Sequence, residues 1–237
     1  MYIKDVRSAS LDTGLLSKLV RGAEKTFENA QALFKEASLL REAGFLCRAL
    51  FLYQICMEEC AKIEILGACA MGLLTYHEID VAGLRRALVS HARKNEANAY
   101  FLEKSSDEEA ACHAGDIERA VSTFEEMQGQ FHLKANTAKN ASLYVDFSDG
   151  EFCAPVERIT PETVEEIASL SRRFLSLSFP KVEMLRIWET APQQCSEEFV
   201  RFEGRLRDLA EERPEDLRSS LQELLNEMLA AKIKETT

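Results

Sequence analysis

The stretch RRALVSHARKN, residues 85–95, holds four full cations and one of the chain's four histidines, with no acid among them. The chain around it carries 40 Asp and Glu against 29 Lys and Arg, a formal net charge of −11. That balance argues against a general nucleic-acid coat, which needs dense Lys and Arg, but leaves room for a local basic site. One other stretch combines clustered bases with an absence of acids: MQGQFHLKANTAKNASLYV, residues 127–145, with His132, Lys134 and Lys139. If the helices carrying the two stretches pack side by side, their cations face one cleft that attracts a phosphate or an RNA strand. Two separate solvated basic faces are the plainer alternative.

Within the first stretch, Arg86 and His91 form an Arg-x4-His pair. On one ideal helix the two lie about 140° apart and about 7–8 Å along the axis, so they do not share a face. Either Arg86 sits near an irregular helix start, or each residue meets a copy from a second chain. His91 continues the apolar stripe Val81–Leu84–Leu88, and Asn95 and Asn98 extend it. Polar groups thus occupy a face that should be packed, although a lone histidine there could be a satisfied core residue. A third oddity is Glu58, Glu59 and Lys62, written EECAK inside a very apolar helix. Glu58 and Lys62 are spaced to pair at i,i+4, either as a structural pair on a partly exposed edge or as the lining of a site or interface.

Other chemistries lack their residues. The sequence has no Gly-rich phosphate loop, no His-Glu-x-x-His and no Cys-x-x-Cys. Cys56 and Cys60 have the spacing of two metal ligands, but no second pair completes a site, so neither a metal nor a cofactor is expected.

The elements that must position these residues read as helices. Residues 12–43 repeat apolar positions from Leu16 to Leu40 in steps of three and four, and Gly44 ends the run. A second helix over about 45–75 is apolar nearly all round and therefore central, forming an αα-hairpin with the first. Its charges, Arg48, Glu58, Glu59, Lys62 and Glu64, argue against a membrane span. Asp80 caps a third helix predicted to run to about Lys104, and 105–115 is a polar crossing with room for a helical turn. Asp116 caps a fourth helix. LYVDFSDGEFCAP, 143–155, reads as a small hairpin or extended flap around Ser-Asp-Gly. Thr160 and Pro161 start another helix, which Pro180 should kink or divide. After a break at 191–196, two last helices are predicted over about 196–211 and 215–234. The fold class is thus all-α, with a helical domain over 12–190 and a C-terminal helical extension over 196–237. Nothing in MYIKDVRSAS resembles a signal peptide, and seven unpaired cysteines suit a reduced, cytoplasmic setting.

Four stretches carry a family resemblance: ENAQALFKEASLLREAGFLCRAL, then MEECAKIEIL, then His91 followed by bases, then KNASLYVDF with a proline shortly after. Over about residues 25–190 the chain resembles the AbiV family of abortive-infection proteins, in the helical HEPN superfamily. The resemblance implies a HEPN-like bundle, a bacterial antiphage role and a homodimer. It also implies a metal-independent ribonuclease, or a blocker of translation that sequesters RNA, whose Arg-x4–6-His motif, here Arg86 and His91, comes from both subunits. Such a composite site would answer the 140° separation. Histidine would move the proton of the ribose 2′-hydroxyl or the leaving 5′-oxygen, and arginine would stabilise charge on the phosphorus.

Arg93, Lys94, Asn95, His132, Lys134 and Lys139 would then hold RNA (tRNA, mRNA or rRNA), while Tyr144 and Asp146 would shape the cleft mouth or tie the hairpin to a helix end. Glu58, Glu59 and Lys62 would line the cleft or support it. Active HEPN motifs usually place a polar residue after the arginine, and this chain has Ala87. That departure keeps a second reading open: a non-catalytic helical module that binds a phage protein, a nucleotide or a partner enzyme. Neither DNA nor a membrane is an expected partner.

Overall fold

The computed structural model describes residues 2–8, 10–99, 102–148 and 150–212. Its elements run β1 (Ile3–Arg7), α1 (Thr13–Glu42), α2 (Leu46–Leu74), β2 (His77–Ile79), α3 (Val81–Val89), α4 (His91–Ala99), α5 (Ser106–Ala114), α6 (Ile117–Leu143), β3 (Asp146–Ser148), β4 (Glu151–Cys153), α7 (Pro155–Arg158), α8 (Pro161–Thr190) and α9 (Pro192–Glu212). The fold is an all-α, HEPN-like bundle with, among the described residues, one short β-hairpin (β3–β4) and one two-stranded antiparallel pair (β1–β2).

The first two helices form the expected antiparallel pair. Asp12 caps α1 by accepting from the Leu15 amide at 2.8 Å, and Gly44 takes the left-handed φ of +83° that turns the chain into α2. α2 is the axis of the molecule and packs against α1, α8, α4, α6 and α9. Leu16, Val20 and Ala23 of α1 meet Ile63, Leu66 and Ala70 of α2 and Val182 and Leu185 of α8 in one cluster. Ala30, Cys56, Cys60 and Phe174 form a second. Small residues at Ala23, Ala30 and Ala37, all fully buried, let α1 approach closely.

Several boundaries differ from the sequence reading. The third helix is not continuous: Ser90, at φ −78° and ψ 117°, is extended and splits it into α3 and α4. Residues 106–114 form a complete helix, capped by Ser105 at one end and by Gly115 at φ +71° at the other. α8 runs through Pro180 as one element and is not divided there. The break before the last helices shrinks to Ala191, and α9 already begins at Pro192. The predicted helix over 215–234 lies outside the described residues.

The hairpin at 143–155 is present as β3–β4, pairing Phe147 with Phe152 and turning at Gly150, whose φ is +88°. A second antiparallel pair, between β1 and β2, which α1 and α2 separate in the chain, had no signal in either three-to-five-residue segment alone. It pairs Ile3 with Ile79, and both side chains lie 3.4 Å from where a Cβ on Gly72 would stand. Among the described residues no helix is long and apolar enough to cross a membrane.

Phe174 is fully buried on α8 between α1 and α2. Phe174→Ala should cost about 3–5 kcal/mol, the range for deleting a buried ring. Urea unfolding measures this, and an unresolvable change would contradict the core placement.

Candidate functional site

The polar column on α4 is real: Asn95 and Asn98 face inward, His91 stays about half in solvent, and each meets a partner from another helix. Its first residue, His91, opens α4 directly after the Ser90 break. His91 Nδ1 lies 2.7 and 2.8 Å from the two carboxylate oxygens of Glu58 on α2. Lys94 Nζ donates to the same carboxylate at 2.6 Å, and Lys139 Nζ of α6 donates to it at 3.0 Å. One turn along α4, Asn95 Nδ2 contacts His132 Nδ1 at 3.0 Å, and Asn98 Nδ2 donates to the Met57 carbonyl at 3.0 Å. Gln128 Nε2 of α6 donates to the Glu96 carbonyl at 2.8 Å, so two neighbouring residues of α4 are bonded to α6.

Glu58 is the centre of this arrangement. Its side chain is 6% exposed, with Lys94 at 7% and Lys139 at 10%. Burial works to raise the carboxyl, but the hydrogen bonds and charges of Lys94 and then Lys139 outweigh it. Glu58 therefore sits below the ordinary carboxylate range and is ionised at neutral pH. An ionised carboxylate only accepts, so the neutral His91 ring must carry its hydrogen on Nδ1. The ring is 53% exposed, and its Nε2 makes no hydrogen bond to a described residue. The result is an imidazole with a fixed tautomer, oriented by a carboxylate and open on the side that bears a lone pair. That is the arrangement of a positioned general base.

The remaining sequence candidates separate into three groups. Lys94, Asn95 and Lys139 are buried, and their polar heads are engaged inside the bundle rather than presented to solvent. Arg93 and Lys134 are exposed, with Arg93 donating to Glu96 at 2.8 Å, while His132 is half-buried. Arg86 is 73% exposed near the end of α3 and reaches Asp80 at 3.4 Å; no hydrogen bond or ion pair joins it to His91. Asp80 at the N-cap is itself held low, first by the Gly83 amide and, among charges, by Arg86.

The expected Glu58–Lys62 pair is not formed. Lys62 instead donates to Glu59 at 2.5 Å, which frees Glu58 to turn toward α4 and α6. At the hairpin, Tyr144 is exposed, and Asp146 forms an ion pair with Arg158 at 3.5 Å that ties β3 to the end of α7. Among the described residues no group of three or more His, Cys, Asp or Glu is placed to hold a metal ion.

What sequence reasoning missed is the Glu58–His91 contact itself. Its signal was the pairing of two oddities: an acid in the most buried helix, and a cationic, polar column on the packed face of another. A buried charge must be met by a buried partner.

Fold and site together describe a HEPN-like helical bundle with a carboxylate-held histidine beside two interior lysines. The family description AbiV, HEPN_AbiV, matches residues 18–176, and the chain belongs to this family of HEPN abortive-infection proteins. Protein y4gJ of Sinorhizobium fredii, which is uncharacterized, is 36% identical over 155 residues that cover 64% of this chain and 81% of that protein. No solved structure matches the chain.

Glu58→Gln keeps the shape and removes the charge, leaving two ammonium groups buried without their anion. At neutral pH this should destabilise the fold by about 3–5 kcal/mol. Because the Glu58 pKa is depressed in the folded state, its contribution is present above the ordinary carboxylate range and is lost as pH falls through the lower folded value. Urea unfolding of both proteins across this range should show the gap closing in acid. A gap independent of pH would contradict the assignment.

Proposed function

We propose that this protein is a cytoplasmic abortive-infection effector that acts as a metal-independent endoribonuclease, with His91 as the base. The observation that carries the reading is the His91 ring, fixed through Nδ1 on an ionised Glu58 and open at Nε2. In this reaction His91 Nε2 takes the proton of a ribose 2′-hydroxyl. The 2′-oxygen then attacks the adjacent phosphorus and the 5′-oxygen leaves, taking a proton from water, which gives a 2′,3′-cyclic phosphate and a 5′-hydroxyl. Glu58 stabilises the imidazolium that forms, and Lys94 and Lys139 keep Glu58 ionised. In a homodimer, the exposed Arg86 of one protomer serves the site of the other. Arg93 and Lys134, both solvent-facing, hold the RNA backbone.

Two observations favour the second reading, a binding module without catalysis. Arg86 is paired with Asp80 rather than with the histidine, and Ala87 follows it where a polar residue is usual. The exposed His91 and its basic neighbours would then recognise an acidic face on a phage protein or partner enzyme, or a nucleotide.

The test is RNA cleavage by purified protein in EDTA, with wild type compared with His91→Ala and Arg86→Ala. Wild type should cleave, and His91→Ala should lose about 10²–10⁴-fold, the usual worth of a general base. Mixing the two inactive variants should restore part of the activity if the site is composite. Absence of cleavage, with both variants still arresting cells at equal expression, would leave the binding reading.

A further inference from the structure

A second imidazole meets α4 one turn from His91, and its partner fixes it in the opposite sense. His91 and Asn95 are spaced i,i+4 on α4, so they project from one face about 6 Å apart along the axis. As Glu58 holds His91, Asn95 holds His132: Asn95 Nδ2 lies 3.0 Å from His132 Nδ1. An amide nitrogen only donates, so Nδ1 accepts and the hydrogen of the neutral His132 ring is on Nε2. That Nε2 makes no hydrogen bond to a described residue, and the ring is half-buried rather than sealed. The two histidines therefore offer different chemistry, a lone pair at His91 Nε2 and an N–H at His132 Nε2.

The charge beneath them points to the ligand. Lys94 and Lys139 bring two positive charges to one carboxylate, so the buried cluster retains a surplus of one cation. Water is largely excluded there, and such a surplus attracts an anion to the adjoining surface more strongly than an exposed lysine does.

We propose that His132 is a hydrogen-bond donor to a non-bridging oxygen of the scissile RNA phosphate, in the same protomer as the His91 that activates the 2′-hydroxyl. This rests on the ribonuclease reading and assigns within it the group that meets the developing charge. During the step, the 2′-hydroxyl proton moves to His91 Nε2, the 2′-oxygen–phosphorus bond forms and the phosphorus–5′-oxygen bond breaks. The leaving oxygen takes a proton from water, and the hydroxide so formed is neutralised by the proton that His91 releases afterwards. His132 keeps its own hydrogen throughout and contributes through its N–H, as a neutral histidine electrophile does. Asn95 is a positioning residue that sets the tautomer.

The experiment compares cleavage of ordinary RNA with RNA carrying sulfur in place of one non-bridging phosphate oxygen, each sulfur isomer separately, for wild type, His132→Ala and His132→Gln. Sulfur accepts a hydrogen bond poorly, so wild type should cleave one isomer more slowly than ordinary RNA. His132→Ala should lose about 10²-fold on ordinary RNA, the typical worth of one oxyanion donor, and should no longer discriminate against that isomer. His132→Gln, which retains an N–H, should recover part of both the rate and the discrimination. Thermal unfolding of each variant shows whether the fold is intact.

An unchanged rate in His132→Ala, or an equal loss on all substrates with discrimination preserved, overturns the assignment while leaving the nuclease reading in place. A wild type that cleaves none of the RNAs overturns both.

Discussion

Burying a carboxylate in a helical bundle costs several kcal/mol unless cations meet it with good geometry. In this protein Glu58, on the most buried helix, meets that condition through Lys94 and Lys139. The arrangement constrains much of what surrounds it. α4 must present Lys94 inward, α6 must present Lys139 at the same level, and both must therefore pack on the middle of α2. The break at Ser90 has the same logic, because it starts α4 afresh and brings His91 into line with Lys94 above Glu58.

The same interaction links stability to chemistry. A carboxylate kept ionised by two ammonium groups is a permanent acceptor, and a permanent acceptor fixes the tautomer of the imidazole beside it. The bundle thus holds one histidine with its lone pair outward without using a metal ligand or a loop. The two stretches that most specifically carry the family resemblance, MEECAK and KNASLYVDF, meet at this point, since Glu58 belongs to the first and Lys139 to the second. Side chains distant in sequence share one electrostatic task.

Much of the fold was legible because it follows from local rules. Three-and-four spacing marked α1, Asp116 marked the start of α6, and Ser-Asp-Gly marked the β3–β4 turn. Less legible were features decided by tertiary context. Ser90 has no breaker chemistry, and its extended conformation follows from the packing of α3 and α4. β1 and β2 are short strands whose pairing is fixed by the packing of Ile3 and Ile79 over Gly72.

For the site, the structure brings several of the residues singled out in the sequence together, but through contacts other than those expected. Lys94 and Lys139 read as phosphate-facing because cations in an acid-free stretch normally face solvent, whereas here a buried glutamate claims them. The i,i+4 rule favoured Lys62 as the partner of Glu58, but Lys62 is taken by Glu59, one residue closer.

The central claim is that an ionised Glu58 sets the orientation and tautomer of His91. Nitrogen-15 NMR of imidazole-labelled protein, at a pH where His91 is neutral, tests it most directly. The wild-type ring should be protonated on Nδ1 with Nε2 bare, reverting in Glu58→Gln to the Nε2-protonated form that free histidine prefers. A wild-type His91 protonated on Nε2, unaffected by that substitution, would contradict it.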